Sequence, residues 1–363
     1  MTKTALLIVL ICVFGVPALA QKLPKPTMTP SVPTTAQKFL MQQGIALHDN
    51  KKFDVAIQKY QLVLDENPDC TAAMYEMALS YAAKGDVDKA LEIAMNGVKY
   101  KSTELSLFYI LIANTWDDQG KSQDSIELYK DAIKFLKDEK NSQKALSSVY
   151  YNLGVTYARQ KLYKESREAL KKAVESNFGY GSPNYLLAEV FLSGKYKVPA
   201  MLAAARFVSL ELNSARAKRS AQIFLSILKS AKKDEKTGNI NIFLDLDAPK
   251  DEGDFGMYDL VLGTLTTIES KKEETKSDDE IFAEAFDSLV ALLSEDKKLK
   301  STFVGKTYIR FLVELKKKGF SKVFAYLILQ QDGNKTAEKW LVENGAKTKD
   351  FIDWAKSYDP SGS

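Results

Sequence analysis

His48 is the only histidine among the 363 residues, so any metal centre or nucleophilic triad that uses imidazole would have to form around that one position. A lone histidine of this kind reads first as a polar surface residue. Cys70 is the second candidate. It lies just after Pro68, and a thiol becomes a nucleophile only where an electropositive setting stabilises the thiolate; a small buried residue is the simpler reading. Carboxylates are the third. Asp245, Asp247, Asp251, Glu252 and Asp254 have the density of a calcium loop, but Pro249, Lys250 and Gly256 occupy places where that loop needs an oxygen ligand, a glycine and a glutamate. The string therefore reads as a solvated acidic loop. Asp278 and Asp279 stand where a helix begins and complement its positive end. Asn334-Lys335-Thr336 matches a glycosylation acceptor, which has meaning only in a eukaryotic secretory route. No catalytic residue, metal or cofactor is expected, and the chain reads as non-enzymatic.

The elements that would position these side chains declare themselves by repetition. Gly44, Ala78, Ala113, Gly154 and Ala188 are small residues separated by 34, 35, 41 and 34 positions, each with a large apolar residue three later and a second small residue twelve later. A period of that size marks helical hairpins that bury their apolar faces only when stacked. In the first unit, Leu40, Gly44 and Leu47 share one helix face and Ala56, Tyr60 and Val63 another, with a turn near Asn50 and a stop at Pro68. The interval of 41 predicts a lengthened second helix and loop around Lys137 to Gln143. The fifth unit departs from the pattern: Asn184 replaces a large apolar residue and Phe207 a small one. Ser214 to Lys232 reads as a capping helix.

The second unit (Met74, Ala78, Tyr81, Gly85, Ala90, Ala94, Gly97), the third (Tyr109, Ala113, Trp116, Gly120, Ser125, Tyr129, Ala132) and the fourth (Tyr150, Leu153, Gly154, Tyr157, Tyr163, Ser166, Leu170, Ala173) carry a resemblance to tetratricopeptide repeat proteins. The resemblance spans Phe39 to about Leu212. It implies a groove lined by the first helix of each unit. Carried over by register, the groove residues are Met41, Ile45 and His48, then Tyr75 and Leu79, then Ile110, Asn114 and Asp117, then Tyr151 and Val155, then Tyr185 and Glu189, with Ala82, Ala158 and Leu192 beside them. The family's clamp for acidic C-terminal peptides needs basic residues and Asn early in this set. Met41 and Ile45 stand there instead, so the resemblance implies a groove for an apolar or amphipathic protein segment, open to a partner or filled by the chain itself.

Targeting and composition bound the rest. Lys3, an apolar run from Ala5 to Val16 and Ala18-Leu19-Ala20 read as a cleaved signal peptide, too short to span a bilayer. Export to the periplasm or exterior is the expectation. Once the leader leaves with Cys12, Cys70 has no partner for a disulfide. The 51 basic and 47 acidic residues are interspersed, without the basic face that nucleic acid needs. Four prolines between Gln21 and Thr35 read as a spacer or docking peptide, or more simply a disordered terminus.

Beyond a polar break at Lys229 to Asn239 the repeat stops. A capping box at Ser277 to Glu280 opens a helix through Leu293; a second stripe runs from Phe303 to Leu315 and ends at Gly319, and shorter runs follow with Gly333 and Gly345 as breaks. The whole is all-α: signal peptide 1–20, tether 21–35, a solenoid of about five repeats over 36–212, capping helix and linker 213–239, and a small helical domain 240–363. The function expected is an exported scaffold. Two alternatives stand beside it: an enzymatic or ligand-binding C-terminal domain recruited by the array, and a groove for a cell-wall or extracellular polymer.

Overall fold

The computed structural model describes residues 23–228, 232–233, 240–241, 249–258, 261–262, 276–360 and 362. The expected leader, Asp245, Asp247 and most of the linker lie outside them. Ten helices form five antiparallel hairpins: α1 (Thr35–Asp49) with α2 (Phe53–Glu66), α3 (Thr71–Lys84) with α4 (Val87–Gly97), α5 (Leu105–Asp118) with α6 (Ser122–Lys137), α7 (Gln143–Arg159) with α8 (Tyr163–Ser176), and α9 (Gly181–Ser193) with α10 (Lys197–Leu210). The next helix, α11 (Ala215–Leu228), packs on α10 and α9 as the first helix of a further unit would. The wide interval before the fourth unit is explained by α6, 16 residues long where α4 has 11, and by the loop that follows it.

Local chemistry explains the boundaries. A capping box starts α1: the Gln37 N–H donates to Thr34 Oγ1 at 3.3 Å and the Thr34 N–H to Gln37 Oε1 at 3.0 Å. At the other end of a hairpin helix, α3 stops at Gly85, whose φ of +96° suits glycine. The small anchors are small because helices touch there. A Cβ on Gly44 would lie 2.5 Å from Tyr60 Cε1, and one on Gly154 would lie 2.8 Å from Leu170 Cγ. The hairpins pair at that closeness only while those positions stay bare.

The C-terminal part is helical, as expected: α12 (Asp278–Glu295), a π turn at Gly305–Ile309 running into α13 (Arg310–Lys317), α14 (Ser321–Gln331), α15 (Lys335–Glu343) and α16 (Gly345–Ser357). The box at Ser277 caps α12. Gly345 differs from its reading as a break, because it is the first residue of α16. A two-residue antiparallel ladder pairs Lys232–Lys233 with Ile240–Asn241. Among the described residues two large apolar cores divide the molecule, with a small cluster of Val63, Cys70 and Ala73 beside them. One runs from α2 to the fourth hairpin; the other joins that hairpin, α9, α10 and α11 to α12, α14 and α16. The C-terminal helices therefore share their core with the last repeats.

Polar staples hold the two parts together. Arg167 stands on α8 where the other units carry Ile57, Leu91, Ile126 and Met201, and it pairs with Asp251 and Glu252. Lys171 Nζ meets the same Glu252 at 3.0 Å, and the Tyr196 hydroxyl donates to Asp251 at 2.7 Å. Glu252 is buried, which corrects the reading of a solvated acidic loop: Arg167 and Lys171 draw it onto α8, where Lys171 is shared with Glu168 of the same helix at 3.0 Å. Desolvation raises the Glu252 pKa against the pull of Lys171 and Arg167. Desolvation acts the same way on Asp251, but the Tyr196 hydrogen bond and Arg167 outweigh it and hold that carboxyl low.

The proline-rich stretch is also ordered where it is described. The N–H groups of Thr27 and Met28 donate to the Lys99 carbonyl at 2.9 Å, and Lys101 N–H donates back to Met28 at 2.8 Å. Ser31 N–H reaches Asp69. The segment thus runs along the loops between successive hairpins. Prolines deny it a partner strand of its own, but extended backbone with free N–H groups can still bond to loop carbonyls. No helix of the described residues is long and apolar enough to cross a membrane.

Candidate partner-binding groove

The first helices of the hairpins, α1, α3, α5, α7 and α9, lie side by side. Every residue assigned to the groove by register sits on them. Met41, His48, Tyr75, Leu79, Ile110, Asn114, Tyr151, Val155, Tyr185 and Glu189 are half-buried, and Ile45 is exposed. Half-burial is what a docking face requires: packed at the base, open at the tip. The tyrosine rings are propped from beneath. Tyr75 meets Phe108 edge-on at 5.7 Å, Tyr151 meets Tyr180 at 5.6 Å, and Tyr185 leans on Phe207 at 5.3 Å. Burial raises the pKa of Tyr75 and Tyr151, so both are neutral phenols near neutral pH.

Between these rings run polar contacts that cross from one repeat to the next. His48 Nδ1 shares a 2.8 Å hydrogen bond with Ser80 Oγ. The Tyr129 hydroxyl donates to Asn114 Oδ1 at 2.6 Å, and Asn114 Nδ2 donates to Asn152 at 3.3 Å. Asp117 is the member of the set that the groove does not present: its side chain is 2% exposed, and Arg159, Thr156 and Ser122 all donate to it. An acid at that depth is tolerated because a cation and two hydroxyls surround it. Glu189 is held by Arg219 through two hydrogen bonds of 2.8 and 3.1 Å. Sequence reasoning missed Glu76, Asn152 and Arg159. Each lies at a register position beside an assigned one, and the repeat itself could have flagged them.

The C-terminal helices pack on the last helices of the array. Their substantial contacts are with α10 and α11, and their polar staples are on α8 and α10. Cys70 is fully buried, its thiol donates to Met41 Sδ at 3.9 Å, and burial raises its pKa, so it has the setting of an inert packing residue. Among the described residues, no three His, Cys, Asp or Glu side chains converge in a way that could hold a metal ion.

Comparison with known proteins places the repeats. Residues 41–101 and 147–180 match family models of the tetratricopeptide repeat. No curated protein matches the sequence. Among solved structures, PilF of Pseudomonas aeruginosa is similar at a TM-score of 0.45 and 15% identity, over 53% of this chain and 85% of that one. A thermophilic repeat protein of Thermus thermophilus gives 0.42 and 19%, over 52% and 99%. The C-terminal part of a repeat protein from Cytophaga hutchinsonii gives 0.40 and 12%, over 83% and 99%.

Proposed function

We propose that this chain, a tetratricopeptide repeat protein, is an exported scaffold whose groove holds an apolar or amphipathic segment of another protein. Repeats of this family are in general protein-interaction scaffolds. The observation that supports the finer reading is the row of propped, half-buried Tyr75, Tyr151 and Tyr185 on the inner helices, while the C-terminal helices bury their own apolar faces in a core shared with the array from the fourth hairpin to α11. Rigid aromatic rings lose little entropy on binding and suit such a face.

The test is affinity capture from the native envelope fraction, read by mass spectrometry, with wild type beside a variant carrying Tyr75→Ala, Tyr151→Ala and Tyr185→Ala. Wild type is expected to recover specific partners that the triple variant loses, at unchanged helix content by circular dichroism. Recovery of the same partners by the triple variant would sink the groove reading. Export rests on the leader, Met1 to Ala20, ending in Ala18-Leu19-Ala20. N-terminal sequencing of the native protein is expected to begin at Gln21, and a native chain that retains Met1 to Ala20 would refute cleavage.

A further inference from the structure

The repeat register sets two junctions of the groove side by side. Tyr60 and Tyr129 each stand sixteen residues after their anchors, Gly44 and Ala113. At the junction of the third and fourth repeats every polar group is closed internally: Tyr129 to Asn114, Asn114 to Asn152, and Asp117 to Arg159. At the junction of the first and second repeats the same positions hold Tyr60, Ile45, Glu76, His48 and Ala83. Ile45 cannot accept from the tyrosine, and Ala83 supplies no guanidinium.

Two groups are left over. Tyr60 is 0% exposed, and among the described residues its hydroxyl makes no well-formed hydrogen bond, with Ser80, Glu76 and Asp49 as its polar neighbours. Ser80 Oγ also bonds His48 Nδ1 at 2.8 Å. Glu76 is half-buried, with the exposed Asp49 beside it, and among the described residues neither is in an ion pair. Burial raises the Glu76 pKa and Asp49 raises it further; His48 is the one group that opposes them. A carboxylate desolvated this far without a cation, next to an unpaired buried hydroxyl, is an arrangement that a bound positive charge would complete. The flanking surface is apolar and aromatic, through Met41, Ile45 and Tyr75 above Phe108.

We propose that this junction is a subsite for a basic side chain, the ammonium of lysine or guanidinium of arginine, carried by the apolar segment that occupies the groove. The assignment rests on the groove reading and adds the chemistry of one anchor. The cation sits against Glu76 and Asp49, with the buried Tyr60 hydroxyl behind them, and lays its aliphatic stem along Met41 and Ile45.

Selection from a phage library of random dodecapeptides tests it on the purified protein. Wild type is expected to enrich clones with Lys or Arg inside an apolar run. A peptide made from the leading clone should bind Glu76→Gln roughly tenfold more weakly. Replacing its basic residue by norleucine should weaken binding to wild type by a similar factor and leave binding to Glu76→Gln unchanged. If wild type and Glu76→Gln enrich the same apolar clones without a basic preference, the subsite is refuted and the groove stands. If the triple tyrosine variant enriches the same clones as wild type, or wild type enriches none, the groove reading falls with it.

Discussion

Arg206→Ala is expected to destabilise the protein by about 3–5 kcal/mol, with the loss centred on the junction between the last repeat and α16. Arg206 on α10 is 0% exposed and has no carboxylate partner among its contacts. Its guanidinium donates to the Phe178 carbonyl at 3.2 and 3.0 Å, to Ser209 Oγ at 3.3 Å and to the Ala355 carbonyl at 2.8 Å. The rings of Phe178 and Phe311 lie 4.1 and 4.6 Å from its centre. Desolvation pulls its pKa down to about 9, which still leaves it a cation at neutral pH. The charge is offset by the Phe178 carbonyl after α8, by the Ala355 carbonyl near the end of α16 and by two aromatic faces. Alanine would strand both carbonyls in the core and leave a cavity. Urea unfolding gives the magnitude, and hydrogen exchange should show Gly345–Ser357 losing protection first. Arg206→Met separates the causes: it refills the volume without donors and should remain strongly destabilised. A methionine variant as stable as wild type would show that shape alone matters there.

Gly305→Ala is the second large effect expected, about 3 kcal/mol or more. A Cβ at Gly305 would lie 1.9 Å from the Leu299 carbonyl oxygen and 2.6 Å from its carbon. The obstacle is backbone, so no rotamer change relieves it. The Leu299 turn cannot retreat easily, because Thr302 Oγ1 donates to that same carbonyl at 2.7 Å and accepts from the Gly305 N–H at 3.0 Å, while the Leu299 side chain is buried in the core. The close approach also opens the π turn that sets Tyr308 toward the fifth repeat. An unfolding free energy within about 0.5 kcal/mol of wild type would mean that the turn yields more readily than its contacts imply.

Much of the architecture was legible because a repeat compares a sequence with itself. Gly44 and Gly154 stand at one register position for one reason, an approaching ring or leucine from the facing helix. The helix that carries each proposed groove residue was legible by the same route, since a side chain's face follows from its place in the register. The departures were visible but had no stated cause. Asn184, where other units have Met74, Tyr109 and Tyr150, is 0% exposed: its amide donates to the Tyr180 carbonyl and its oxygen accepts from the Tyr308 hydroxyl at 2.9 Å. Its partner lies 124 positions away. Nothing local announces such a pair.

By itself the sequence determined the helical hairpins and their number, because each follows from spacing within about a dozen positions and from the size of the side chain at a contact. Tertiary structure alone decided what happens to outward positions of the last two repeats. Asn96, Asp131 and Lys172 are exposed at their place in the register; Arg206 occupies the same place and is fully buried, because α16 and the turn at Gly305 cover α10 there. Arg167 likewise takes a core position and is neutralised by Asp251 and Glu252 from beyond the linker. Burial of a charge depends on which distant segment arrives to supply its partner, and local periodicity carries no information about that.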